Sequence, residues 1–436
     1  MKRFYQLSLA AALLCLPALA SNTVNLIGLS APSIGMGGTG VSNFTSATDA
    51  VYKNPSLLGL TPLQEGHSTK IELTLGVVKQ NTKGNYTVGT TASGDKDNQA
   101  GANFVPDLAA SYRINDRFHL GFGILPYSGA GSDYTGESLI FAPKVKLSLI
   151  KFSPALSYKV NEWIRVGAAP FITRGSFQVN EAALSAETSL FTKFNQTTRE
   201  ASSAVGVGAN LGVSAEPVKG LMLGASYISK SNFNYKSLLN LDLYGKNFPT
   251  VSAAGGTPHD MLLQQPDEIA LGASYLLSEG LTVAFDWRNI RWSQADGYKD
   301  FGFSSQNVFA LGAQYQLHRL TFRAGFNYAA SPLADATGEV GADDINIQGH
   351  TVWRQFYSLL DVFAFPAISQ THITAGVGYK FCDAMTLDVA GYYSPKSTLT
   401  RSGNNASLPT FGLPAAYSYT TSVTQWALNG TLTYSL

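Results

Sequence analysis

The octapeptide LTVAFDWR, residues 281–288, decides how the rest of the chain is read. Leu281, Val283, Phe285 and Trp287 fall on one face and Thr282, Ala284, Asp286 and Arg288 on the other. That period of two belongs to an extended strand, with one face suited to hydrocarbon and the other to a polar interior. The same split runs through 320–328, where Leu320, Phe322, Ala324, Phe326 and Tyr328 oppose Thr321, Arg323, Gly325 and Asn327. It recurs in 371–381, where Ile373, Ala375, Val377, Tyr379 and Phe381 oppose Thr374, Gly376, Gly378 and Lys380.

Outward from these runs, one unit repeats: an alternating run, a tight turn, an alternating run. The turns lie in SYRINDRFHLG, SYKVNEWIRVG, SAEPVKGLMLG, SYLLSEGLTVA, QYQLHRLTFRAG and GYKFCDAMTLDVAG, most with an aromatic before a polar tip. These are hairpin signals. About 14 strands are expected, near 71–78, 107–113, 118–124, 145–159, 163–173, 203–215 and 220–228 in the first half. The second half adds 268–277, 280–288, 307–317, 319–328, 371–381, 385–393 and 422–436. Long loops (79–106, 125–144, 174–202, 229–267, 289–306, 329–370, 394–421) then alternate with short turns. A soluble sandwich has no reason to sort loop length by side, whereas an outer-membrane barrel with an even strand number does. Tyr112, Tyr158, Trp163, Tyr275, Tyr315 and Tyr379 sit at strand ends, where an interfacial girdle would lie. The chain closes on Trp426, Leu428, Gly430, Leu432, Tyr434 and Leu436, an alternating terminal strand.

Composition agrees with an all-β, transmembrane antiparallel barrel. Of 436 residues only 14% are charged, against about a quarter in soluble domains, while Phe and Tyr number 24 and 21. Mean hydropathy is +0.02, too low for a helical membrane bundle. Residues 1–20 read as a secretory signal, with Lys2 and Arg3, an apolar run from Leu7 to Leu16, and the cleavage site Ala18-Leu19-Ala20. Cleavage would take the net charge from +1 to near −1 and leave Cys382 as the sole cysteine, which excludes an internal disulfide. No basic face for nucleic acid is indicated.

SIGMGGTGVSNFTSATDAVYKNPSLLGL, residues 33–60, lacks a sustained helix or strand period yet is too apolar for a disordered tail. Residues 21–64 are therefore expected to fold as a plug inside a barrel formed by 65–436. The non-lipid strand faces collect Gly121, Gly123, Gly167, Gly206, Gly208, Gly212, Gly224, Gly272, Gly312, Gly325, Gly376 and Gly378. Glycine in a strand often marks the close approach of another backbone.

At these residues the chain resembles the FadL family of outer-membrane transporters, including channels of the TodX type. The 33–60 segment resembles that family's hatch and its Asn-Pro-Ala motif; Asn54 and Pro55 match, and Ser56 replaces Ala. FSPALSYKVNEWIRVGAAP (152–170), QQPDEIALGASYLLSEGLTVAFDWRNIRWSQAD (264–296) and FALGAQYQLHRLTFRAGFNYAASPL (309–333) resemble family hairpins in the same order. The resemblance implies a barrel of 14 strands with a hatch that passes hydrophobic molecules, such as long-chain fatty acids or aromatic and aliphatic hydrocarbons. It further implies capture at extracellular loops, a pocket near the hatch, lateral release, and a gate at Asn54, Pro55 and Ser56.

Apolar transport needs a desolvating surface rather than a catalytic group. Loop 174–202 offers Phe191 and Phe194, and loop 229–267 offers Leu238, Leu239, Leu241, Leu243, Phe248, Met261 and Leu262. Loop 329–370 offers Trp353, Phe356 and Phe363, which could reach into the barrel mouth. The plainer reading is that these residues pack the loops together. Arg165, Arg288 and Arg323 point inward by phase and are candidate carboxylate anchors; the plainer reading pairs them with lumen acids such as Asp286 and Asp388, or with the hatch. No metal-ligand, cofactor or nucleophile motif stands out, and no enzyme is expected. A hydrophobic small molecule and outer-membrane lipid are the expected partners of a monomer. An open diffusion porin for polar solutes is the first alternative, and a structural or secretion-associated member of the same fold the second.

Overall fold

The computed structural model describes residues 22–63, 66–137, 140, 143–184, 194–197, 200–241, 245, 257–411 and 414–436, with 181–184 and 194–197 described as backbone only. The expected signal, residues 1–20, lies outside them. Fourteen antiparallel strands close a barrel. Its first half holds β1 (Thr69–Val88), β2 (Asn103–Arg113), β3 (Phe118–Asp133), β4 (Lys144–Lys159), β5 (Ile164–Leu184), β6 (Ser202–Val218) and β7 (Leu221–Ile228). The second holds β8 (Glu268–Ser278), β9 (Leu281–Ile290), β10 (Gln306–Leu317), β11 (Leu320–Ala329), β12 (Thr371–Lys380), β13 (Met385–Asn404) and β14 (Ala416–Ser435). Closure is made by β1 and β14, in register from Lys70 opposite Ser435 to Val88 opposite Tyr417. Among the described residues no helix is long and apolar enough to span a bilayer.

Leu75, Phe122, Phe285, Leu311, Phe326, Ile373 and Leu428 are among many apolar side chains exposed around the outside, as a lipid-facing belt requires. Tyr112, Trp163, Tyr275, Tyr315 and Tyr379 are exposed at the short-turn end. This is the periplasmic end, because short turns face that side in outer-membrane barrels.

Several strands run further than the sequence reading places them. β1, β3, β5 and β13 end at Val88, Asp133, Leu184 and Asn404 rather than at 78, 124, 173 and 393. The reason is an inversion of polarity beyond the membrane. In β4 the buried inner face reads Val145, Leu147 and Leu149 near the extracellular end and Ser153 and Ser157 lower down. The outer positions reverse this, with Lys144 and Lys146 above and Phe152 and Leu156 below. β14 does the same, burying Tyr417, Tyr419 and Val423 above Asn429 and Thr431. The pleat keeps its phase while the solvents on its two sides change places.

Residues 22–63 lie within the lumen. The segment holds two short helices, α1 (Ala31–Gly35) and α2 (Ala47–Lys53), and a 3-10 turn, Pro55–Leu60. Ser30 and Ser46 cap the helices by accepting from Ser33 N and Asp49 N. The wall pins the hatch on several sides. Glu72 of β1 accepts Ala47 N and Thr48 N at 3.0 Å each, at the positive end of α2. Asp286 of β9 accepts Gly40 N at 2.8 Å and Val41 N at 3.0 Å. Thr374 of β12 accepts Gly37 N and donates to Gly35 O, both at 3.0 Å.

The lumen glycines explain how backbone reaches wall. Gly167 and Gly212 face each other across β5 and β6, and a Cβ on either would strike the Asn54-Pro55-Ser56 segment. The pair Gly224–Gly272 lies against Val41 and Ser42, and the pair Gly312–Gly325 against Met36 and Gly37. Gly121 and Gly376 also touch the hatch. Gly123, Gly206, Gly208 and Gly378 meet neighbouring side chains of the barrel and its loops instead.

Candidate functional site

One level of the barrel brings three irregularities together. The β2–β3 ladder stops at Leu108 opposite Ile124, so beyond that pair β3 has β4 on one side only. A register shift between Pro126 and Ser128 bulges Tyr127 out of the β3–β4 ladder. The hatch supplies partners at the open edge: Gly129 N donates to Val24 O at 3.0 Å, and Ser128 Oγ to the same oxygen at 2.8 Å. Beside them lies a small cavity lined by Val24, Gly129, Gly131, Phe365 and Pro366 among others.

Tyr127 is one wall of an aromatic cage around Lys151 of β4. The ammonium lies 3.6 Å from the Tyr127 ring centre, 4.0 Å from Phe171 of β5 and 5.4 Å from Tyr52 of α2. Lys151 is 1% exposed, and among the described residues its Nζ has no hydrogen-bond partner. Three ring faces stabilise a cation by about 0.5–2 kcal/mol each, but they supply no acceptor for its three N–H groups. A desolvated ammonium without a counter-ion is costly, and a carboxylate arriving there would meet a charge ready to pair. Lys151 also sits where the inner face of β4 changes from Val145, Leu147 and Leu149 to Ser153 and Ser157. A molecule with a long apolar body and an anionic head matches that gradient.

The cage touches the hatch through Tyr52, which packs edge-on against Tyr127 at 6.3 Å. Two residues on is Asn54, whose Nδ2 donates to Val41 O at 2.7 Å and to Val213 O of β6 at 3.1 Å. Its Oδ1 accepts Ser56 N at 3.2 Å and Ser56 Oγ at 2.7 Å. Ser157 Oγ of β4 closes the circle by donating to Ser56 O at 2.8 Å. Asn54 thus ties the hatch to itself and to the wall, and Pro55 opens the following 3-10 turn.

Above the cage the mouth is packed. Loop 229–267 contains a hairpin, Ser231–Leu239 with His259–Gln265, and loop 329–370 contains a second, Asp344–Ile347 with His350–Trp353. A short helix, α3 (Arg354–Leu359), and a wide turn, Leu360–Ala364, follow and turn into the mouth. Phe363 at its tip is fully buried against Tyr86, Tyr134 and Tyr419. Leu238, Leu239, Leu241, Met261, Trp353 and Phe356 join the same buried apolar cluster, and Leu262 is half-buried. These loop residues therefore pack on one another rather than forming an open groove. Phe191, Leu243 and Phe248 lie outside the described residues, as does the side chain of Phe194.

Of the three arginines, Arg323 reaches Asp388 at 2.6 Å and Gln314 at 3.2 Å. Arg288 stands 3.5 Å from Glu268, while Asp286 serves the hatch instead. Arg165 lies near the periplasmic mouth, far along the wall from the cage. None of the three reaches Lys151, which the sequence reading missed; a lysine in KLSLIK reads as solvated until the inner face of β4 is known. Among the described residues no group of three or more His, Cys, Asp or Glu could hold a metal ion.

The segment formed by α3 and its turn is anchored to the wall by a buried polar cluster. Arg401 of β13 reaches Asp361 at 3.3 Å and Glu339 at 3.6 Å, and Glu339 also accepts from Ser358 at 2.7 Å and Tyr417 at 3.0 Å. Burial raises the Asp361 carboxyl well above the usual carboxylate range, with Arg401 opposing the shift and Glu339 adding to it. A carboxyl raised in the docked state holds its proton more tightly there. Its contribution favours docking at low pH and is lost as pH rises through the raised value. Amide exchange across 354–364, corrected for the intrinsic rate, is expected to slow on acidification and to lose that dependence in Asp361→Asn. An exchange rate with the same pH profile in both proteins would exclude this latch.

A closed barrel with a greasy belt, short turns at one end and its own N-terminal segment folded within defines a hatch-bearing outer-membrane channel. The chain belongs to the outer membrane protein transport protein (OMPP1/FadL/TodX) family, whose sequence model matches residues 14–342. It is 25% identical to outer membrane protein P1 of Haemophilus influenzae, over 75% of this chain and 81% of that one. Among solved structures it is similar in fold to a Pseudomonas aeruginosa FadL homologue (TM-score 0.67, 15% identity, 96% and 99% of the two chains). The P. putida toluene transporter TodX (0.64, 16%, 94% and 99%) and the Ralstonia pickettii toluene transporter TbuX (0.59, 20%, 92% and 98%) share the fold as well.

Proposed function

We propose that this monomeric barrel takes up hydrophobic small molecules across the outer membrane, with long-chain carboxylates as the favoured cargo and neutral hydrocarbons as the second class. The observation that carries the reading is the axial gradient of the lumen wall: apolar side chains at the extracellular end descend to a caged, unpaired ammonium and then to the polar Ser153 and Ser157 beside the hatch. Cargo enters by displacing the apolar loop packing, settles with its head at Lys151, and leaves sideways where the β2–β3 ladder is missing. The filled lumen favours that exit over an axial one and speaks against an open porin. The toluene transporters named above support the hydrocarbon alternative, and the aromatic cage suits it without the charge.

Asn54, Pro55 and Ser56 act as the gate, because Asn54 ties hatch to wall two residues from Tyr52, the hatch's ring in the cage. Asn54→Ala with Pro55→Ala is expected to lower uptake of radiolabelled oleate by about tenfold, since at least one buried polar group loses its partner, a loss of order 1–3 kcal/mol. The folded barrel should persist at the surface. Unchanged uptake at equal surface level would remove the gate from the proposal, and a strain lacking the protein that grows normally on long-chain acids and monoaromatics would remove the cargo.

A further inference from the structure

The periplasmic end of the lumen holds a cavity of about 520 Å³ that the transport reading does not use. It opens below the 3-10 turn of the hatch, between the β2–β3 and β4–β5 turns. Arg113, Arg117, Lys159, Arg165 and His119 line it against two acids, Asp116 and Glu162. Glu162 is engaged by Lys159 at 2.7 Å, and Arg113 gives one N–H to His67 O at 3.2 Å. Arg165 differs from these. Its Nε and Nη1 are buried, and among the described residues neither has a hydrogen-bond partner. His119 Nδ1 is in the same condition.

Guanidinium N–H groups form a rigid fork matched to two oxygens of a carboxylate or phosphate. Four cationic side chains stand against two acids around this space, and the cation at its hatch side, Arg165, has no acceptor for two of its N–H groups among the described residues. A buried charged donor left unpaired costs more than a neutral one, so this balance marks an anion site. The volume exceeds that of a bare oxyanion several-fold, since water occupies about 30 Å³, and Leu63 and Val160 give one side an apolar margin. We propose that this cavity binds an organic oxyanion, a phosphate or carboxylate carried by a soluble periplasmic molecule or by a lipid headgroup of the inner leaflet. The bound anion also braces the hatch. Arg165 lies under Gly59, where an added Cβ would come within 3.1 Å of its Cδ, and Ser157 beside it holds Ser56 O.

The inference does not depend on the cargo, and its test uses no apolar ligand. Full-length mature protein in a non-ionic detergent is titrated with sodium phosphate against sodium chloride at matched ionic strength, by calorimetry. In parallel, the protein is taken from bilayers of phosphatidylcholine with phosphatidylglycerol and its lipid adducts are counted by native mass spectrometry. Saturable phosphate binding, weakened at least about tenfold in Arg113→Gln with Arg165→Gln, supports a soluble oxyanion. Phosphatidylglycerol adducts that the same variant loses support a headgroup. Neither signal, or signals the variant leaves unchanged, overturns the site. Should the variant not fold, phenylglyoxal labelling of the unaltered protein decides: modification of Arg165 slowed by phosphate supports the site, and modification at an unchanged rate refutes it.

Discussion

Replacing Lys151 with methionine is expected to divide the possible cargoes in two. Binding of oleate to the detergent-solubilised protein should weaken by ten- to about a hundredfold, the worth of one charge-assisted contact of roughly 1.5–3 kcal/mol. Binding of toluene or dodecane should hold or improve, because the methionine keeps the apolar stem between Tyr127 and Phe171 and removes a charge that had to stay desolvated. The ligand-free barrel should gain stability for the same reason, since an uncompensated buried ion opposes folding. Equal losses for the acid and the hydrocarbons would make Lys151 a structural element of the cage. No loss for either would separate the cage from the cargo path and return the neutral hydrocarbons to first place. Lys151→Arg supplies the control for charge without shape, since a planar guanidinium replaces the compact ammonium among the three rings.

Lys151 marks the level at which the alternation of such a barrel stops revealing its interior. The period of two in 281–288, 320–328 and 371–381 gave the right strands and faces because, between the interfaces, lipid and lumen present fixed and opposite demands. Above the membrane the demands swap. LSLIKF at 147–152 still alternates, but Leu147 and Leu149 now point inward and Ser148 outward, so a rule that sends apolar residues to lipid misassigns its faces even though the strand itself falls at the expected 145–159. Phe233 and Tyr235 fall within an expected loop for a related reason: their hairpin packs on the inside of other strands, where both side chains are buried. The glycines were legible as a sign that something lay close; that Gly167 and Gly212 form a facing pair under Asn54 required the register. Arg288 and Arg323 lie in the lumen as their phase requires; of the two lumen acids expected beside them, Asp388 pairs with Arg323 while Asp286 is taken by the hatch, and Arg288 stands by Glu268 instead.

The glycine pairs lead to the largest effect expected of any change in the wall. Valine at Gly167, Gly224 and Gly312 would place a side chain into hatch backbone at three levels: the Asn54-Pro55-Ser56 turn, Val41 and Ser42, and Met36 and Gly37. None of these neighbours is the flexible end of a side chain, so the clash cannot be relieved by a rotamer change. Overpacking costs about 1–3 kcal/mol at a yielding site, and three sites on separate strand pairs should add nearly independently. Against this stand the hatch's buried hydrogen bonds to Glu72, Asp286, Thr374 and Val213, each contributing about 0.5–1.5 kcal/mol. The hatch also keeps its hydrogen bonds to Asn210, Asn327 and Thr431 and the burial of Val24, Ile27, Leu29, Val51 and Leu57. The triple variant should therefore loosen the hatch from the wall at these three levels without expelling it, while each single variant keeps it seated. The wall itself has little to lose, because valine suits a strand better than glycine does. In planar bilayers the loosened triple variant is expected to pass an ionic current where the parent protein stays closed, with the folded barrel still resistant to detergent and heat. A closed triple variant would mean that the hatch tolerates displacement by whole ångströms without opening its seam with the wall, and the tight seam would then be packing without a sealing role.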